Sequence, residues 1–269
     1  WEQLTAVSIG PVIARRSQRA IDFTPTRPAL IEKAIVTQPQ GAKAFERIGT
    51  PAKGLPALEW LLWTRPVQPG SPACSYAHEV AQDVARESAA LQAAFTTAAG
   101  TDWGAEDEQE QSTLAISEFV NQWVGGIERL RWAQMEKPLR AAGSGSGSRT
   151  PDYPRIASGD TLAAWAATWA GLRSVTALPA GAATPAPGEA LVPLEMYLRG
   201  KGLNPLADKL HQAASKVDAS MAQVQKAGVQ NKAAIQQTAK DLAALKFLAE
   251  SEVAPALQVS IGFSDADGD

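Results

Sequence analysis

Apolar side chains recur along this chain at three- and four-residue steps, and that periodicity restricts the fold to packed helices. Over Pro72–Ala99 the repeat places Ala73, Ala77, Val80, Val84, Leu91 and Phe95 on one face, with Glu79, Gln82, Asp83 and Arg86 between them. Gln111–Arg140 carries a second stripe through Leu114, Phe119, Trp123, Ile127, Leu130 and Met135. A third runs from Asp160 to Leu178 through Leu162, Trp165, Trp169, Leu172 and Val175, with Asp160 or Ser158 as the expected N-cap. Leu206–Lys226 and Val229–Glu252 continue the pattern and are divided at Gly228. No stretch alternates with the period of two that a half-buried strand requires. The expected fold is all-α, with two antiparallel, up-down helical bundles.

The 269 residues suffice for one large or two medium domains. A net charge of −3, without a basic run, excludes a chain that tracks a phosphate backbone, so nucleic acid is not an expected partner. The longest apolar runs, near Trp60 and Trp165, fall short of the ~18 residues that mark a membrane span. Cys74 is the single cysteine and cannot form an internal disulfide, so cysteine usage does not fix the redox compartment. The chain opens at Trp1 without an initiator Met, which fits removal of a targeting segment.

Gly143–Ser148 reads GSGSGS and is followed by prolines at 151 and 154, a composition suited to a flexible connection. The expected organisation is therefore an N-terminal bundle over 1–142, a linker over 143–154 and a C-terminal bundle over 155–269. Ala180–Gly188 reads as a second Pro/Ala/Gly loop. Gln122–Leu130 and Thr168–Val175 share Trp-x-Gly, an apolar residue and an Arg, a trace of duplication. Glycine inside a helix costs about 1 kcal/mol relative to alanine, so Gly125 and Gly171 are expected to mark close helix contacts.

Few residues offer chemistry. The only histidines are His78 and His211, both off the apolar stripes and read as surface residues. His78-Glu79 begins like a HExxH helix, but position 82 is Gln, so the second ligand is missing. Cys74 reads as a small buried hydrophobe and the tryptophans as packing anchors. That leaves GLPALEWLLW at 54–63. Pro56 suits the first turn of a helix, where its missing N–H would be unpaired anyway. Glu59 follows where the helix dipole favours negative charge. Helix-start chemistry alone accounts for both.

The same stretch resembles the Gly-x-His-x-x-Glu motif of the imelysin family, with Gly54 and Glu59 in register and Pro56 in place of the histidine. Ser8–Pro28 is similar to that family's Ile-Gly-Pro segment and the Asp-Phe-x-Pro turn that contains Asp22. Arg155–Trp165 resembles the serine-led start of its second-domain helix, which brings in Ser158. Val259–Asp269 resembles its Gly-Phe-x-x-x-Asp-Gly-Asp ending, with Asp265 and Asp267.

The resemblance implies two helical bundles with a site between them, in a secreted or lipid-anchored periplasmic or outer-membrane-associated protein linked to iron uptake. Some family members are classed as metallopeptidases. The implied ligand-binding set is Gly54, Pro56, Glu59, Asp22, Ser158, Asp265 and Asp267, with Arg19 and Arg65 as counter-charges. Proline can neither bind a metal nor carry a proton, and one carboxylate is a poor transition-metal site. The expectation is a non-catalytic binding or accessory protein with no resident cofactor, iron being the one metal the resemblance suggests. Its partner would be a small ligand or an envelope protein, its oligomeric state monomeric, and its only membrane link a removed N-terminal lipid anchor. The competing readings are a metallopeptidase with substitute ligands such as His78, Asp265 or Asp267, and a helical scaffold without a pocket. The ends of the chain, Ile9–Phe23 and Ile261–Asp269, are expected to pack near the Glu59 helix.

Overall fold

A computed structural model describes residues 1–65, 67–102, 109–143, 151–179, 181–183 and 192–262. Among these residues all regular structure is helical, as the period of the apolar repeat requires. In chain order the helices are α1 (Glu2–Thr5), α2 (Pro11–Ala14), α3 (Ser17–Ile21), α4 (Pro28–Thr37), α5 (Gly41–Phe45), α6 (Gly54–Glu59) and α7 (Pro72–Ala98). They continue with α8 (Gln109–Glu128), α9 (Lys137–Gly143), α10 (Thr161–Thr176), α11 (Leu194–Gly200), α12 (Asn204–Ala227), α13 (Lys232–Leu248) and α14 (Ala254–Ala256). π-helical turns at Trp60–Thr64, Arg129–Glu136 and Ala249–Val253 extend α6, α8 and α13.

The packing separates two units. One comprises Trp1–Ser8, Gly104–Pro154 and Thr161–Asp269; the other comprises Ile9–Trp103 and Arg155–Asp160. This division differs from a boundary at 143–154. The apolar face of α8 (Val120, Trp123, Val124 and Ile127) is buried in the same unit as α10 and α13. The Trp123 indole N–H there donates to Thr176 Oγ1 at 2.8 Å. Residues 155–160 instead belong with the N-terminal helices. Most of the GSGSGS stretch, residues 144–148, lies outside the described residues, as does most of Ala180–Gly188.

In the smaller unit, α7 is the backbone of the assembly. Ser71 caps it, its hydroxyl oxygen accepting from Cys74 N–H, and Pro72 occupies the first turn. Its buried face, with Tyr76, Ala77 and Val80, packs on Ile31, Phe45, Ala57 and Leu61. Val84 and Phe95 are only half-buried. Polar contacts also tie neighbouring segments to α7. Arg15 forms a two-pronged pair with Glu87 at 3.1 and 2.8 Å, and the Ser17 hydroxyl donates to the same carboxylate at 2.6 Å. The Tyr76 hydroxyl donates to the Ala52 carbonyl at 2.6 Å. Lys53, the residue before α6, pairs with Asp83 at 3.1 Å.

In the larger unit, α10, α12 and α13 bury the faces expected from their periodicity, and Gly228 ends α12 with φ +83°. Helix α1 enters this unit through two glycines. A Cβ at Gly171 would stand 2.5 Å from the Gln3 carbonyl oxygen, and one at Gly126 would stand 2.0 Å from that of Ala6. Close contact at Gly171 is as expected, and on α8 Gly126 makes one as well. Arg129 donates to the carbonyls of Thr5 and Ala6 at the end of α1. The chain after α14 is held by Asn121 of α8, whose side chain donates to Ser260 O and accepts from Gly262 N–H. The described part of the C-terminal segment thus rests on α8, whereas Ile9–Phe23 does lie in the unit that contains α6.

Three side chains are less buried than expected. Leu114 is 63% exposed and Trp63 is 53% exposed, the latter because the π turn after Glu59 rotates it away from the core. Cys74 is half-buried.

Candidate functional site

Helix α6 is six residues long, too short to hold itself in water, so tertiary contacts must fix its side chains. Its first residue, Gly54, has φ +82°, and a Cβ there would lie 2.4 Å from the Ile21 carbonyl oxygen. Only glycine allows this approach of the α6 start to the end of α3. Pro56 is buried in the first turn, where no N–H is needed. Glu59 closes the helix and leads directly into the π turn.

The Glu59 carboxylate is met by the turn that carries Ser158. Glu59 Oε1 accepts from Ser158 N–H and lies 2.9 Å from Ser158 Oγ. The same hydroxyl is 3.2 Å from the Arg155 carbonyl, so its single proton serves one acceptor at a time. Arg155 itself is left-handed, φ +60°, and its guanidinium donates to Asp22 Oδ1 at 2.7 Å. Asp22 directly follows Ile21, whose carbonyl faces Gly54. Gly54, Asp22, Arg155, Ser158 and Glu59 are therefore joined in one closed circuit within the smaller unit.

Several expectations need correction at this point. Among the described residues Glu59 takes a backbone N–H and a hydroxyl, both from Ser158, and no arginine pairs with it. Arg65 pairs with Glu32 at 2.6 Å, and Arg19 is exposed on α3. Of the two cap candidates, Ser158 binds Glu59, and Asp160 is the residue directly before α10. Asp265 and Asp267 lie outside the described residues. Arg155 was not among the expected site residues; its only signal was its place at the head of the Arg155–Trp165 stretch.

The histidines divide. His78 is exposed on α7. His211, expected at the surface, instead lies 3.0 Å through Nδ1 from the buried Glu195 carboxylate in the larger unit. Glu195 also accepts from Leu178 N–H at 3.1 Å and from Arg199 at 2.8 Å. Burial alone would raise its carboxyl, but the donors on His211, Arg199 and Leu178 hold it below the usual range. Glu128 behaves alike: burial is outweighed by the Arg131 guanidinium and the Lys246 ammonium.

Iron or zinc at the Glu59 circuit would need donors that the circuit does not supply. Pro56 has none, Glu59 Oε1 already takes two contacts, and Asp22 is paired with a cation. Among the described residues no group of three or more His, Cys, Asp or Glu side chains is placed to hold a metal ion. Among the described residues the donor set does not fit a resident transition metal. Among the same residues no helix is long and apolar enough to cross a membrane.

The imelysin family model matches residues 1–252. Among solved structures, an imelysin-like protein from Psychrobacter arcticum 273-4 superposes with a TM-score of 0.74 at 21% identity, covering 98% of this chain and 79% of that one. A protein named an iron-regulated protein A precursor, from Parabacteroides distasonis ATCC 8503, gives 0.65 at 15% identity, covering 96% and 79%. At these identities the likeness establishes the fold. No curated protein sequence matches the chain.

Proposed function

The chain belongs to the imelysin family, and from that premise we propose that it is a non-catalytic binding or accessory protein of the cell envelope, associated with iron uptake. The observation that carries this reading is at Pro56 and Glu59. The position where the family motif has an imidazole holds a buried proline, and the motif carboxylate is engaged by the N–H and hydroxyl of Ser158. Imidazole is the commonest ligand of a hydrolytic metal centre, which needs three protein ligands and an open position for water. The exchange of histidine for proline removes that chemistry and leaves the helix start intact. Glu59 and Ser158 then act as a positioned acceptor pair for a ligand, with Asp22 and Arg155 holding the turn. The iron association rests on the name of the Parabacteroides structure and on family membership. The envelope location, the lipid anchor and the monomeric state are parts of the same proposal.

The test is elemental analysis of protein purified without chelator, beside Pro56→His, together with a peptide-cleavage assay. The expected result is neither stoichiometric metal nor cleavage in the unmodified protein. Near-stoichiometric iron or zinc that disappears in Glu59→Ala would overturn the reading.

A further inference from the structure

Among the described residues, three buried side-chain polar atoms have no hydrogen-bond partner: Gln134 Oε1, Tyr153 OH and Trp165 Nε1. Two of the three belong to rings in contact. Tyr153 and Trp165 meet edge to face, with centroids 5.0 Å apart and planes at 83°. Tyr153 is 2% exposed and Trp165 is wholly buried. Neither ring can turn its polar atom to bulk solvent.

Leaving such groups unpaired is costly, on the order of 1–3 kcal/mol for each. Native interiors avoid the cost with protein partners or with ordered water, and a buried water commonly makes about three hydrogen bonds to otherwise unsatisfied groups. The two atoms here are chemically matched to such a guest. The indole N–H only donates, so it needs an acceptor; the phenol both donates and accepts. Burial pushes the Tyr153 phenol up to about 12, so it is a neutral hydroxyl at any ordinary pH. A cation or anion would be left without a counter-charge between two neutral groups, whereas water can accept from Trp165 and exchange a hydrogen bond with Tyr153.

We propose that Tyr153 OH and Trp165 Nε1 form an internal hydration site, occupied by an ordered water that bridges the two rings. Its place in the chain gives it a consequence. Tyr153 precedes and Trp165 follows the segment 155–160 that bears Arg155 and Ser158. The ends of that segment are tied by the Thr161 hydroxyl on the Pro154 carbonyl at 2.8 Å. The water would tie the same two stretches of chain a second time, through Tyr153 and α10.

A crystal structure of the unmodified chain at a resolution that shows solvent should contain one ordered water within about 3.2 Å of both atoms. The second arm is thermal unfolding of Tyr153→Phe and Trp165→Phe. A bridged phenol predicts that Tyr153→Phe lowers the melting temperature, because the water and Trp165 lose a partner. It also predicts that the double variant loses less than the sum of the two single ones. Absence of solvent density at the two atoms would overturn the proposal. So would a Tyr153→Phe variant that melts at the same temperature as the unmodified chain or higher, the result expected of a phenol with no partner at all.

Discussion

Replacing Gly54 by alanine separates the two demands that the α6 start makes on its first residue. The first is conformational: at φ +82° an L-residue loses about 1–2 kcal/mol relative to the right-handed region. The second is steric. The new Cβ would stand 2.4 Å from the Ile21 carbonyl oxygen and 2.9 Å from its carbon, both backbone atoms that cannot rotate away. Overpacking of this kind typically costs about 1–3 kcal/mol. The sum is about 2–5 kcal/mol, a large share of a stability that usually lies near 5–15 kcal/mol. For a chain of this size the melting temperature should fall by roughly 4–20 °C. Gly70→Ala is the control, since Gly70 has φ +74° and nothing within 4 Å of the added Cβ. It should show the conformational part alone. Urea unfolding of both variants measures the difference directly. If the two lose the same stability within about 0.5 kcal/mol, the contact between Gly54 and Ile21 is not what the glycine serves.

Ser158→Ala removes one of the two donors to Glu59 and should cost about 1 kcal/mol in denaturant unfolding, since the N–H contact survives and the site is half-buried; no loss would mean that the hydroxyl proton resides on the Arg155 carbonyl. Glu195 and Glu128 both have folded-state carboxyls below their unfolded value, so the unfolded chain binds more protons as pH falls. Their contribution is fully present above the unfolded carboxylate range near ~4.3 and is lost as pH drops through and below it; Glu195→Gln should flatten the decline of urea stability between about pH 5 and 3. Gly126→Ala would place a Cβ 2.0 Å from the Ala6 carbonyl and should loosen α1, read as faster protease cleavage within residues 1–8.

Sequence periodicity carried most of the long helices because burial there is decided by a stripe that repeats every turn. Helices α7, α10, α12 and α13 lie where the stripes do. Helices α4 and α11 were not foreseen; α11 is seven residues long, less than two full repeats of any pattern. The π turns were also invisible, because one extra residue per turn changes the phase of a stripe only locally; exposed Trp63 stands in one of them, whereas Leu114 lies well before the nearest. At the site, Gly54 and Pro56 are legible as a helix start, whereas Glu59, expected near that start, closes α6. The bond from Ser158 to Glu59 is not, since it joins positions 99 apart in sequence and no local pattern encodes it. It came within reach only through the family resemblance, which marks Ser158 without saying what it touches. His211 failed for the opposite reason: its partner Glu195 is buried in a helix that the periodicity did not reveal.

The circuit around α6 also leaves the orientation of Glu59 independent of the side chain at position 56. The orientation of Glu59 is set from outside the helix: by Lys53 on Asp83, by Tyr76 on the Ala52 carbonyl, and by the Ser158 turn. None of these contacts passes through the side chain at position 56. That position asks only for a residue that tolerates the first turn and burial, and proline meets both requirements while fixing φ in advance. A ligand donor at position 56 is thus separable from the scaffold, whereas Gly54 is not, because its backbone is pressed against Ile21. The contact of Ser158 with Glu59 persists as long as α3, α7 and the 155–160 turn hold their places.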